Sequence, residues 1–152
     1  MPFLHIGEQQ TTVATDSGKA SPQTILLEIG SQKTAAEHFR HHPPTFAEIE
    51  NAIAAVEDEI SRVKTTSPAA LFTRDEAIRR IARIAGLEDQ PQMILSLDAV
   101  ERIFQHLASA THDGRMASES PGFFSTVLIL REFMHHQQFS SISICSSDNS
   151  GA

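Results

Sequence analysis

Histidine is the residue type here best suited to chemistry, with eight in 152 residues. His38, His41 and His42 cluster beside Glu37. His38 and His42 stand at i, i+4, a spacing that lets two imidazoles on one helix face grip a divalent ion. His42 precedes Pro43, however, which pushes it out of helical geometry. His135 and His136 form a second pair, but adjacent helical residues diverge by about 100°. In the last turn of a helix they favour the dipole instead. A metal site would therefore need His38 or His41 to meet His135 or His136 in space. The first reading is of structural or solvated imidazoles and no cofactor. A divalent metal at His38, His41, His135 and His136 is the alternative.

Arginine is the second candidate. Arg74, Arg79, Arg80 and Arg83 fall within ten residues, a pattern that could hold phosphate or nucleic acid. Asp75–Arg79 and Glu76–Arg80 are both i, i+4 pairs, and their order along the helix suits its dipole. A solvated face is the first reading, with Arg79, Arg80 and Arg83 as a docking surface next. The consecutive Glu57, Asp58 and Glu59 point around a helix rather than at one substrate, so paired-carboxylate catalysis is not expected. Cys145 has no basic neighbour in sequence to activate it. Neither a Gly-x-Ser-x-Gly elbow nor a Gly-rich phosphate loop is present.

Leu27-Glu28-Ile29-Gly30-Ser31, a strand running into Gly-Ser, resembles the first phosphate loop of the actin-like kinase and phosphatase superfamily. The likeness covers five residues. Glu28 stands where that loop has Asp, and 152 residues is short for the superfamily's two-lobed fold. No site residue or activity is carried over from it.

Composition narrows the classes further. The net charge of −7 excludes a uniformly basic nucleic-acid surface. The single cysteine excludes an intrachain disulfide, thiolate zinc fingers and iron–sulfur clusters. Nine Phe but no Trp or Tyr leaves out the usual stacking and anchoring side chains. No apolar run approaches membrane-span length. The N-terminus lacks the basic and apolar regions of a signal peptide. The chain reads as soluble and cytoplasmic.

The elements that must position these residues follow from pattern. Residues 1–23 read as a polar segment with a short strand at Thr11–Thr15 and turn chemistry at Asp16–Lys19. The domain proper is expected over 24–145, with a disordered tail at 146–152. A buried strand is predicted over 24–29 and a short helix over 31–41. Thr45 and Glu48 form a capping box ahead of a helix over 46–64. A second box, Thr73 and Glu76, opens a helix over 74–85 that Gly86 ends. Residues 88–95 read as a loop, Ser96 caps a third helix, and Ser120-Pro121 starts a fourth running to about 137. Ser125–Leu130 is also compatible with a buried strand, but the longer apolar pattern favours the helix. Ile142 and Ile144 alternate with Ser in a last strand. The fold class is α+β: three to four packed helices with a small antiparallel sheet made by segments near both termini, 24–29 pairing with 140–144.

Phe46, Ile49, Ile53, Val56, Ile60 and Val63 repeat at 3, 4, 3, 4, 3, a heptad seam. The seam serves either the domain's own core or a partner helix. The functional expectation is a small protein-interaction or regulatory module without catalytic activity, self-associating as a homodimer. Its binding surface would be the 46–64 helix with its acidic flank, presenting Phe46, Ile49, Ile53, Val56 and Ile60, or the arginine face at 74–83 with Arg79, Arg80 and Arg83. A metal-dependent enzyme using the histidine cluster is the main alternative, and anion binding by the arginine patch the next.

Overall fold

The computed structural model describes residues 2–15, 23–41, 44–63, 70–109 and 120–146. Strands β1 (Phe3–Ile6), β2 (Thr11–Thr15) and β3 (Gln23–Leu27) form an antiparallel meander. Helices α1 (Ser31–His38) and α2 (Phe46–Ile60) follow, then β4 (Leu71–Thr73) and α3 (Glu76–Ile84). The chain continues through β5 (Gln92–Ser96), α4 (Leu97–Ser109), α5 (Pro121–His136) and β6 (Ser141–Cys145). The six strands make one mixed sheet in the order β3-β2-β1-β4-β6-β5. Strands β1, β4 and β6 run parallel, and β5 runs antiparallel to β6.

This corrects the expected small antiparallel sheet and helical bundle. Segments 24–29 and 140–144 do not pair. Three strands separate β3 from β6. Three further strands lie where none was expected: Phe3–Ile6 and Leu71–Thr73, which sit mid-sheet, and Gln92–Ser96, read above as loop. All three alternate in burial over too few positions for the period of two to stand out against loop polarity.

The sheet buries one face. Leu4, Ile6, Val13, Leu71, Met93, Leu95, Ile142 and Ile144 point into the core, while His5 and Ile94 between them stay exposed. Helix α5 lies at the centre of the covering layer and packs against α1, α2, α3, α4 and β1. Its apolar residues surround it on nearly all sides, as a central helix requires. Its buried hydroxyls are satisfied within the helix: Ser125 Oγ donates to the Pro121 carbonyl and Thr126 Oγ1 to that of Gly122. Ser120 caps it through the Phe123 amide, with Pro121 in the first turn.

The capping box at Thr45 and Glu48 forms in full. The second predicted box does not. Thr73 is the buried last residue of β4, its hydroxyl accepts the Asp75 amide, and α3 starts at Glu76. The seam of α2 faces this domain's own core. Ile49, Val56, Ile60 and Val63 are buried and Ile53 packs against them, while Phe46 is 69% exposed. No described helix is long and apolar enough to cross a membrane. The expected turn at 16–19 and all but Ser146 of the expected tail at 146–152 lie outside the described residues.

Candidate functional site

Strands β1, β4 and β6 end on one edge of the sheet, and in open α/β sheets ligands bind outside the carboxyl ends of the strands. At that edge Asp75, following β4, reaches across to β1. Its Oδ2 accepts the Ile6 amide at 2.7 Å and its Oδ1 lies 2.5 Å from His5 Nδ1. The Asp75 carboxylate is nearly buried, while the His5 ring is 63% exposed. A carboxylate on Nδ1 fixes the ring and leaves Nε2 as the reactive nitrogen, the arrangement that general acid–base chemistry uses.

The β1–β2 turn borders this pair. Gly7 donates its amide to the Gln10 carbonyl. The carbonyls of Gly7 and Glu8 turn back onto the start of α1, where they accept the amides of Ser31, Gln32 and Lys33 at 2.9–3.0 Å. The Leu27–Ser31 segment is therefore packed by main chain. A Cβ on Gly30 would come within 2.4 Å of the Glu8 carbonyl, so only glycine allows the contact. The first turn of α1 thus spends its amides on carbonyls rather than on an open anion site. The acidic side chains of Glu8 and Glu28 lie exposed around the turn, with Gln10 Nε2 donating to Glu28.

A second polar cluster joins α2 to the far end of α5. His136 Nε2 lies 3.1 Å from Glu57 Oε2 and 3.5 Å from Glu132 Oε1. These three are the group of metal-capable side chains found among the described residues. The Glu132 side chain is 4% exposed, and burial pushes its carboxyl up to about 7 against the pull of Arg131. The hydrogen bond from His136 holds the Glu57 carboxyl below its ordinary value.

Of the predicted metal ligands, only His136 enters this cluster. His135 is exposed beside it, His38 stands in the last turn of α1, and His41 pairs with Glu48 at 2.9 Å. His42 lies outside the described residues. The arginines part company as well. Arg79 is buried and donates to Asp89 and to the carbonyls of Gln90 and Pro91, Arg83 bridges Glu76 and Asp89, and Arg80 stacks on Phe123.

No family model matches the sequence, and no curated protein matches it either. Solved structures do match. The Aquifex aeolicus PPX-GPPA enzyme superposes with a TM-score of 0.79 at 16% identity, over 95% of this chain and 52% of that one. A type II variant structure of the Aquifex aeolicus Ppx/GppA phosphatase gives 0.79 at 14%, over 95% and 52%. An exopolyphosphatase from Cytophaga hutchinsonii gives 0.72 at 13%, over 95% and 52%.

The fold is that of the Ppx/GppA enzymes. It is an actin-like ATPase-type fold, and the chain spans about half the length of each Ppx/GppA structure it matches. The expectation of an interaction module without catalytic activity is overturned too. The Ppx/GppA structures sharing this architecture are enzymes, a phosphatase and an exopolyphosphatase among them.

The residues at the sheet edge were missed because His5 and Asp75 are 70 positions apart and meet only through the parallel pairing of β1 with β4. Asp75 already had a local explanation as the partner of Arg79. Glu132 and His136 did carry a signal, an i, i+4 pair on one helix. The neighbouring His135 masks it in the sequence.

Proposed function

We propose that this chain is a phosphatase-related domain that works on a phosphoanhydride at the carboxyl edge of β1 and β4. The observation that carries the reading is the His5–Asp75 pair, standing at the ligand-binding edge of a fold shared with a phosphatase and an exopolyphosphatase. His5 Nε2 takes a proton from the water that attacks the terminal phosphorus; the bond from that phosphorus to the bridging oxygen breaks, orthophosphate and the shortened chain leave as anions, and the imidazolium returns its proton to a leaving phosphate oxygen or to solvent. Asp75 is the positioning residue: it fixes the ring through Nδ1 and stabilises the imidazolium that forms.

A divalent cation belongs to this reading, because phosphoryl transfer develops charge that a cation on the phosphate oxygens neutralises. Glu8 and Glu28, exposed around the turn, would hold such an ion in exchange for the Lys33 and Gln10 contacts of Glu28, and the ion would supply charge neutralisation.

The test is orthophosphate release from tripolyphosphate and from long-chain polyphosphate in magnesium, with calorimetric binding of tripolyphosphate alongside. The expected result is binding that weakens with salt, and release that falls about 100-fold or more in His5→Gln with KM little changed. Absence of both binding and release, or release that His5→Gln leaves untouched, defeats the reading.

A further inference from the structure

We infer that Glu57, Glu132 and His136 form a binding site for a zinc-like divalent ion between α2 and α5. This site is separate from the sheet edge and independent of the phosphatase reading. Helix α5 begins near α1, where Gly122 approaches the Gln32 side chain, and ends at His136, so about 22 Å of helix separates its two ends.

Three observations support an ion rather than a plain ion pair. The first is spacing. Zinc bound tetrahedrally at 2.0–2.2 Å places neighbouring ligand atoms about 3.3–3.6 Å apart. His136 Nε2 already stands 3.1 Å from Glu57 Oε2 and 3.5 Å from Glu132 Oε1. All three donor atoms lie within 4.8 Å of one another. Small side-chain adjustments complete the triangle.

The second is orientation. Arg131 Nη1 bonds Glu132 Oε2 at 2.5 Å, which leaves Oε1 turned toward His136. Arg131 is itself held by Glu101 through Nε and lies 4.3 Å over the Phe104 ring. An outer partner that fixes one carboxylate oxygen and frees the other is what metal ligands commonly have. Glu101 balances the guanidinium charge, so Arg131 does not stand as an uncompensated cation beside the site.

The third is the field. Glu132 and His136 occupy the C-terminal turn of α5, where the helix dipole favours a cation and disfavours a carboxylate. Two carboxylates and one neutral imidazole balance a divalent charge. The mixed nitrogen and oxygen set suits zinc better than magnesium. Glu57 is 44% and His136 37% exposed, so the fourth coordination position opens to solvent and gives the ion its entry path.

Titration of the full chain with cobalt(II), followed by visible d–d absorption, together with zinc binding by equilibrium dialysis, tests the site. The expected result is one ion per chain with a tetrahedral cobalt spectrum. Affinity should fall about 100-fold or more in His136→Ala and in Glu57→Gln, and stay unchanged in the neighbouring His135→Ala. Glu57 is exposed enough for its variant to keep the fold, which far-UV circular dichroism checks. Zinc should also raise the Tm of the wild type but not of Glu57→Gln. No uptake, uptake that survives both ligand variants, or equal loss in His135→Ala overturns the proposal.

Discussion

Asp75 holds two strand ends together with one carboxylate: Oδ2 takes the Ile6 amide at 2.7 Å while Oδ1 meets His5 Nδ1 at 2.5 Å. The regular β1–β4 ladder is short, with Phe3 opposite Phe72 and the Phe72 amide donating to the Pro2 carbonyl. Asp75 extends it by one side-chain bond at the carboxyl ends of the strands. Asp75→Ala leaves the Ile6 amide without its partner and should cost about 1–3 kcal/mol in urea denaturation. Asp75→Asn retains an acceptor for that amide and should cost less, which separates the structural bond from the charge of the carboxylate.

The N-terminus of α2 sets an acid limit on stability. Burial opposes ionisation of Glu48, but the Thr45 amide, the His41 imidazole and the amides of Arg40 and His41 outweigh it. The carboxyl is lowered to about 2 from its ordinary value of 4.5. A depressed folded value means that this contribution is fully present above about 4.5 and is lost as pH falls toward 2. Urea midpoints at pH 6 and pH 3 should therefore differ less in Glu48→Gln than in the wild type. Thr45→Ala, removing the other half of the box, should cost about 1 kcal/mol at either pH.

Two helix ends use the same six-to-one closure with different residues. At α3, Leu87 donates to the Ala82 carbonyl and Gly86 takes φ of 100°. At α5, Phe139 donates to the Met134 carbonyl and Gln138 takes φ of 63°. Left-handed geometry suits glycine and strains other residues. Gly86→Ala should cost about 1 kcal/mol, and Gln138→Gly should gain several tenths to about 1 kcal/mol. Thermal unfolding of the two variants checks both signs.

Arg79 and Arg83, four residues apart on α3, should respond very unequally to replacement. Arg79 is 8% exposed and its guanidinium fans out to Asp89, the carbonyls of Gln90 and Pro91, and the Met93 sulfur. It staples the loop ahead of β5 to α3. Lysine offers no planar fork, so Arg79→Lys should destabilise by about 2–4 kcal/mol. Arg83 pairs with Glu76 and Asp89 at the surface, and Arg83→Ala should stay within about 0.5 kcal/mol of wild type. Denaturant midpoints measured side by side decide this.

Local order was written plainly in the sequence. The Thr45–Glu48 box, the Ser120-Pro121 start, the Gly86 stop and the 3.6-residue periodicity of α2, α4 and α5 are all interactions within a few residues of one another. Backbone capping and one-sided burial act at that range, so they can be read without knowing the fold. The strands β2, β3 and β6 were legible for the same reason, each carrying apolar residues bounded by turn residues.

What surrounds each element was decided only in three dimensions. The parallel alignment of β1, β4 and β6 depends on chain segments far apart in sequence, and nothing local distinguishes a four-residue strand such as β1 from loop. Both polar clusters depend on contacts of that long range. His5 meets Asp75 only because β1 lies beside β4, and Glu57 meets Glu132 and His136 only because α2 packs on α5. The amino-acid order fixed which side chains were available and which helices would form. Long-range pairing and packing chose which of them came within 4 Å of each other, because the free energy that aligns strands and stacks helices is shared over the whole core rather than held in any one stretch of sequence.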